Sequence, residues 1–234
     1  MSKTNTISVS HFSDVLCVWA YISQIRLDEL KTEFSANINL NYHFLRIFGC
    51  VDSAVNLQWK DKGGVKAYNK HVLSIAAKFN HIDIHPDIWL KNQPTTSISC
   101  HVFCKALQLL ESQGELDVTS TQGSHGTPFE NYAWQARVAF FKDLLNIADL
   151  KILIQLAEQQ NLPVGKILEK INNGEAYAAM ANDIQLENSY HISGSPTLVF
   201  NEGRQTIYGN VGYRVIQANM KELIHQPDRQ ASWC

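Results

Sequence analysis

The chain has 234 residues, 45% of them hydrophobic, with twenty lysines and arginines against twenty-two aspartates and glutamates for a formal net charge of −2. That is enough apolar material for a sizeable core; without a basic run or about twenty consecutive apolar residues, nucleic acid and membrane are excluded as partners. Five cysteines, an odd number in so long a chain, do not form a secreted disulfide framework.

Met1-Ser2-Lys3 leads into an alternating pattern rather than into the apolar run of a signal peptide, so the expected address is the cytoplasm and the expected state of the cysteines is the free thiol. Ile7 and Val9 alternate with Thr6, Ser8 and Ser10, and Phe12 follows, which reads as a strand ending before Ser13-Asp14. A helix is expected to begin near Cys17, with Val18, Ile22, Ile25, Leu30 and Phe34 on its apolar side. Ile38, Leu40, Tyr42 and Phe44 then alternate with polar residues, giving a second strand and a βαβ unit.

From about Gly49 the pattern turns helical. Leu73 to Phe79, Ile98 to Leu110, Tyr132 to Leu145, Lys151 to Gln160 and Ala176 to Tyr190 carry helix-compatible spacing. The breaks fall at Lys62-Gly63-Gly64, His85-Pro86, Gln93-Pro94, the polar loop from Gln113 to Pro128, and Leu162-Pro163. Strands return at Thr197–Phe200 and Gln205–Tyr208, joined by a hairpin in which Gly203 can take a positive φ. A closing helix follows with Val215, Ile216, Met220, Leu223 and Ile224 as its stripe. The whole reads as an α/β, thioredoxin-like fold with a large all-helical insertion. Residues 1–48 form its first half (βαβ), 49–187 the helical insertion domain, and 188–234 its second half (ββα).

The chemistry concentrates in Cys17-Val18-Trp19-Ala20, a C-x-x-A at the junction of strand and helix. A C-x-x-C in that setting reads as a disulfide oxidoreductase, in which the first sulfur attacks and the second resolves the mixed disulfide. Alanine at position 20 removes the second step. Unpaired N–H groups and the helix dipole at Cys17 are expected to lower its pKa and make it a thiolate, with Asp14 as a capping carboxylate and Trp19 as a bulky wall. The second half of the site is Gly194-Ser195-Pro196-Thr197. A proline at a strand's first residue can take a cis bond, leaving the Ser195 backbone open to an extended peptide or a thiol tripeptide.

Ser13-Asp14-Val15-Leu16-Cys17-Val18-Trp19-Ala20-Tyr21 resembles the S-D-x-x-C-P-W-C-Y of the FrnE-like branch of DsbA-family thioredoxin-fold proteins. That branch is related to 2-hydroxychromene-2-carboxylate isomerases and kappa-class glutathione transferases. Ser195-Pro196-Thr197 matches the family's cis-proline turn, and the helical block falls where the family inserts its helical domain. The resemblance implies a monothiol thiol-disulfide oxidoreductase in which Cys17 is the nucleophile, with Ser195, Pro196, Trp19 and Asp14 binding a thiol or disulfide substrate. No tightly bound cofactor is implied, glutathione is the candidate co-substrate, and relatives with this insertion are often homodimers. The departures are Val18 for proline and Ala20 for the second cysteine, while the glutathione-dependent relatives put serine where Cys17 stands. Two alternatives stay open: a glutathione-dependent transferase or isomerase, and a binding protein that kept the fold and lost the chemistry.

Among the other cysteines, Cys234 in the terminal tail is the candidate resolving thiol, and Cys50, in a loop after the second strand, is a candidate core residue. Cys100 and Cys104, spaced i, i+4 around His101, suit packing better than a disulfide or a metal, so no metal site is expected. His85, His101 and His125 are candidate acid or base groups, and Trp59, Trp89 and Trp134 are candidate pocket walls that suit the core better.

Overall fold

The computed structural model describes residues 6–118 and 126–225. Strand β1 (Ile7–Ser13) leads through a turn into helix α1 (Val18–Glu33), which returns the chain to strand β2 (Ile38–Phe44). After the helical block come β3 (Thr197–Phe200), the Asn201–Gly203 turn, β4 (Gln205–Tyr208) and the closing helix α9 (Tyr213–His225). The four strands form one sheet in the order β2-β1-β3-β4. β1 runs parallel to β2 with Ile7 opposite Ile38, and antiparallel to β3 with Phe12 opposite Thr197. Gly203 takes φ +100 at the hairpin, a conformation glycine adopts without steric cost.

Alternation along β1 decides which face meets what. Ile7 and Val9 lie in one apolar cluster with Leu27, Leu30, Leu198 and Met220, so the second half of α1 and α9 cover one side of the sheet. Phe12 lies in another cluster with Leu45 and Val199 on the opposite side. Each such side chain withdrawn from water contributes about 1.5–3 kcal/mol. The first half of α1 belongs instead to the core of the helical block, where Tyr21 stacks on Phe141 at 4.8 Å and packs at a tilt against Trp134 at 5.0 Å. A helix shared between two cores leaves one stripe uncovered, and Ile25, expected inside, is 49% exposed. Val215 on α9 is likewise outside, since Ile216, Met220 and Leu223 already cover the sheet.

The helical block comprises α2 (Gly64–Ala76), α3 (Ile88–Lys91), α4 (Ile98–Ser112), α5 (Pro128–Phe141), α6 (Leu150–Gln159), α7 (Val164–Asn172) and α8 (Glu175–Ser189). A π-helical segment, Asp52–Leu57, precedes α2. Several of these elements differ from the sequence reading, which expected no helix at α3. Helix α2 starts at Gly64 rather than near Leu73, because Gly63 (φ +99) both closes the short 3-10 turn Lys60–Lys62 and leads the chain into the helix. Helix α5 starts at Pro128, where Thr127 and Glu130 form a reciprocal capping box and proline costs no hydrogen bond. Helix α7 was not expected at all: Pro163 reads as a break, yet it stands at the N-cap.

Candidate active site

The turn between β1 and α1 is fixed by Asp14, which is fully buried. Its Oδ1 accepts from the Leu16 N–H at 2.9 Å, and its Oδ2 accepts from the Phe48 N–H at 2.8 Å and the Ser97 hydroxyl at 2.9 Å. One carboxylate thus ties the turn to the segment after β2 and to the start of α4. This corrects two expectations for Asp14. The N-cap of α1 is Cys17, without a side-chain cap, and Asp14 lies behind the site, sealed from any substrate. His101 belongs to the same support. It is wholly buried, stacks on Phe44 at 4.7 Å, and its Nε2 lies 3.2 Å from the Val15 N and 3.6 Å from the Asp14 Oδ1.

Cys17 sits at the N-cap with φ −80 and ψ 116, and its thiol donates to the Ser195 carbonyl at 3.3 Å. The Ser195-Pro196 peptide is cis. Around it the Ser195 hydroxyl accepts from the Asp14 N–H at 3.0 Å, the Thr197 hydroxyl donates to the Gly194 carbonyl at 2.7 Å, and the Gly209 N–H donates to the Pro196 carbonyl at 2.8 Å. Gly194 is needed for space: a Cβ there would lie 2.8 Å from the Tyr208 ring. So two segments far apart in sequence meet sulfur to carbonyl.

They meet at the floor of a cavity of about 290 Å³. Its walls include Trp19 from α1, Tyr68, His71 and Val72 from α2, and Tyr208 from β4. Trp19 lies edge-on to Phe79 at 6.4 Å. Pro196 is buried and lines a narrow crevice beside Leu198 and Ile216, so it supports the turn from behind while Ser195 faces the sulfur. Sequence reading found Cys17, Trp19 and Ser195 but missed Tyr68, His71, Val72 and Tyr208. The signal for the α2 wall was present, since Val65, Tyr68, Val72 and Ile75 recur at helical spacing. A larger cavity of about 510 Å³ lies beside β2, but its polar groups already satisfy one another, Lys105 with Asp183 and Tyr42 with Glu130. Cys17 and the cis turn are in the smaller one.

Burial pushes the Cys17 thiol above its ordinary value, and the Asp14 carboxylate adds to the rise. Hydrogen bonding from Ser195 and from the Ala20 and Trp19 backbone pulls the other way without overcoming it. The expected thiolate is therefore corrected: helix-terminal N–H groups are in place, but desolvation of a residue only 7% exposed outweighs them. Arg137 on α5 is a buried cation near the site, donating to the Ser13 hydroxyl at 3.0 Å. Burial lowers its pKa, and the charges of Cys17, Cys104 and Asp14 raise it.

Of the other candidates, Ala20 is fully buried one helical turn beyond Cys17. Cys50, expected in the core, is exposed, and its sulfur accepts from the Ser53 hydroxyl at 3.3 Å, which lowers its pKa. Cys100 and Cys104 are buried side by side in the core. His85 accepts the Asp87 N–H on Nδ1 at 3.0 Å, closing a local turn. Trp89 is wholly buried, and Trp134 packs on Tyr21. Cys234 and His125 lie outside the described residues.

A mixed four-stranded sheet with helices on both faces, a cysteine opening its first helix and a cis-proline turn across from it define a thioredoxin-type protein of the DsbA class, carrying an inserted helical block. The DSBA-like thioredoxin domain matches residues 8–221, and the chain belongs to that family. No curated protein matches it. Among solved structures it is similar to a proposed protein disulfide isomerase from Nitrosomonas europaea, with TM-score 0.74 and 14% identity over 95% of this chain and 99% of that one. It is also similar to the cytosolic disulfide reductase DsbM from Pseudomonas aeruginosa, with TM-score 0.63 and 17% identity over 92% and 99%. That reductase has been solved with GSH as well. A third similar structure is a 2-hydroxychromene-2-carboxylate isomerase, with TM-score 0.61 and 14% identity over 96% and 100%. At such identities the likeness is one of fold.

Proposed function

We propose that the protein is a DsbA-type thiol-disulfide oxidoreductase that works with one nucleophilic cysteine, Cys17, and borrows its second thiol from glutathione. The observation that carries this reading is the meeting of the Cys17 sulfur and the Ser195 carbonyl at 3.3 Å across a cis Ser195-Pro196 bond, at the floor of an open cavity. After loss of its proton to solvent, Cys17 attacks one sulfur of a disulfide R–S–S–R′. A Cys17–S–S–R bond forms, the S–S bond of the substrate breaks, and R′–S⁻ leaves. Ala20 offers no sulfur for the second exchange. A glutathione thiolate then attacks the sulfur of R, forming R–S–S–glutathione and returning Cys17 as thiolate. The electrons that reduce R′ come from Cys17, and glutathione restores them.

The raised Cys17 pKa favours reduction over oxidation. Strong oxidants of this fold class stabilise their thiolate, whereas a desolvated thiolate is the stronger nucleophile and the poorer leaving group. Among the described residues no lysine or arginine lines the cavity, which suits glutathione as a transient co-substrate rather than a resident ligand. We place the protein in the cytoplasm, where glutathione is held reduced; no described helix is long and apolar enough to cross a membrane.

Glutathione-coupled reduction of a small disulfide tests the reading: the wild type is expected to turn over and Cys17→Ser to lose at least about a hundredfold. A transferase or isomerase is the second reading, favoured by the protonated state that burial imposes on Cys17, since a neutral thiol can sit beside a glutathione sulfur. Glutathione affinity that survives Cys17→Ala, with no disulfide turnover in the wild type, would select it.

A further inference from the structure

We propose that Tyr208 is a specificity residue of the Cys17 cavity: it selects disulfides R–S–S–R′ whose group R, the one transferred to Cys17, is aromatic or apolar and uncharged. Such a preference gives the oxidoreductase reading its substrate class and rests on Cys17 as nucleophile. Tyr208 ends β4, opposite Thr197 in the register, and the next residue, Gly209, donates its N–H to the Pro196 carbonyl at 2.8 Å. Thr197 in turn donates its hydroxyl to the Gly194 carbonyl at 2.7 Å. The ring is thereby brought over the cis turn. A Cβ on Gly194 would lie 2.8 Å from the ring's Cε2, 2.9 Å from its Oη and 3.2 Å from its Cζ. The φ of Gly194 lies outside the left-handed region, so glycine is there for space, and the tip of the Tyr208 ring fills the place of a side chain. Ser195, whose carbonyl meets the Cys17 sulfur at 3.3 Å, is the next residue.

A ring seated one residue from that contact is still 60% exposed, and Ile47, 42% exposed, is the other exposed large hydrophobic in the lining. Trp19 and the buried Phe48, Val72 and Ile75 continue the apolar wall. Among the described residues no lysine, arginine, aspartate or glutamate lines the cavity, and the exposed His71 is its one basic side chain. An apolar R bonded to the Cys17 sulfur takes both itself and the open ring out of water. A cationic R meets no carboxylate there and an anionic R meets only that histidine, so either gives up hydration with little return.

The test transfers two groups to Cys17 from reagents with the same leaving group, benzyl methanethiosulfonate and 2-hydroxyethyl methanethiosulfonate. In each, the Cys17 thiolate attacks the sulfur that carries R, a Cys17–S–S–R bond forms, and methanesulfinate leaves with the electron pair of the broken S–S bond. Rates are read by mass spectrometry of the Cys17 peptide in the full-length protein, so that Cys50 does not contribute, and are divided by those of N-acetylcysteine. The ratio of the two is independent of the Cys17 pKa. The expected result is a preference for benzyl of about tenfold, kept in Tyr208→Phe and cut about fivefold in Tyr208→Ala. An unchanged thermal melt verifies the fold, and Tyr208→Thr, which suits a strand, replaces the alanine variant if its melt falls. A preference kept without the ring, lost in Tyr208→Phe, or absent from a wild type that reacts with both reagents overturns the proposal and leaves the oxidoreductase reading standing. A Cys17 inert to both reagents sinks that reading and the preference with it.

Discussion

At Cys17 two effects compete, and the buried position decides between them. The first turn of α1 offers backbone N–H groups to the sulfur, as any helix start does, while burial of the residue in the fold desolvates it. Motif spacing reveals the first effect and is blind to the second, because burial depends on how segments distant in sequence pack around the turn. His11 shows the same physics in a group with no catalytic part. It is 1% exposed on β1, neither ring nitrogen has a partner among the described residues, and burial, followed by the charges of Arg137 and His43, lowers its pKa from 6.5 to about 3. The unfolded chain binds that proton from about pH 6.5 downward and the folded chain does not. Its contribution to stability is therefore complete above pH 6.5 and is lost as the pH falls toward 3. Denaturant unfolding at pH 7 and pH 4.5 is expected to show a smaller loss of stability on acidification in His11→Leu than in the wild type. Equal losses would show that His11 does not hold its neutral form.

Among the elements, β2 depends most on the helical block. It is an edge strand, and a single acid on α8 satisfies its exposed end. The Asp183 Oδ2 accepts the Phe44 N–H at 2.8 Å, and its Oδ1 lies 2.8 Å from the His43 Nδ1. Lys105 on α4 meets the Asp183 Oδ2 at 2.7 Å and reaches the Tyr42 carbonyl at 3.3 Å. Both Lys105 and Asp183 are buried, so removing one leaves the other's charge without compensation. Asp183→Ala is expected to cost about 3–5 kcal/mol in denaturant unfolding, and a loss below about 1 kcal/mol would mean that water replaces the carboxylate freely. The strands themselves were legible, because alternation in Ile7–Ser13 and Ile38–Phe44 reports a pleat directly. Helix starts were less so. Gly63-Gly64 and Pro163 are punctuation whose sense depends on the side from which the helix approaches, and at both places a helix opens where the sequence reads as a break. Misreading the first hid Tyr68 and His71, and with them the far wall of the cavity.

In the whole molecule, the thioredoxin-like sheet carries Cys17 and the cis turn, and the inserted helices supply a wall of the cavity in which the two meet. Both halves of the sulfur-to-carbonyl contact could be named from the sequence as Cys17 and Ser195-Pro196, since each has its own local signature. That Asp14 is a strut rather than a contact, and that Cys50 rather than Cys17 is the exposed thiol of lowered pKa, follows only from how the halves pack. The two thiols also set the most direct test of the proposed chemistry. Brief exposure of the protein to oxidised glutathione, followed by peptide mapping, reports where the first mixed disulfide forms. The account predicts a glutathione adduct on Cys17 that reduced glutathione removes; an adduct confined to Cys50, with Cys17 unmodified, would contradict it.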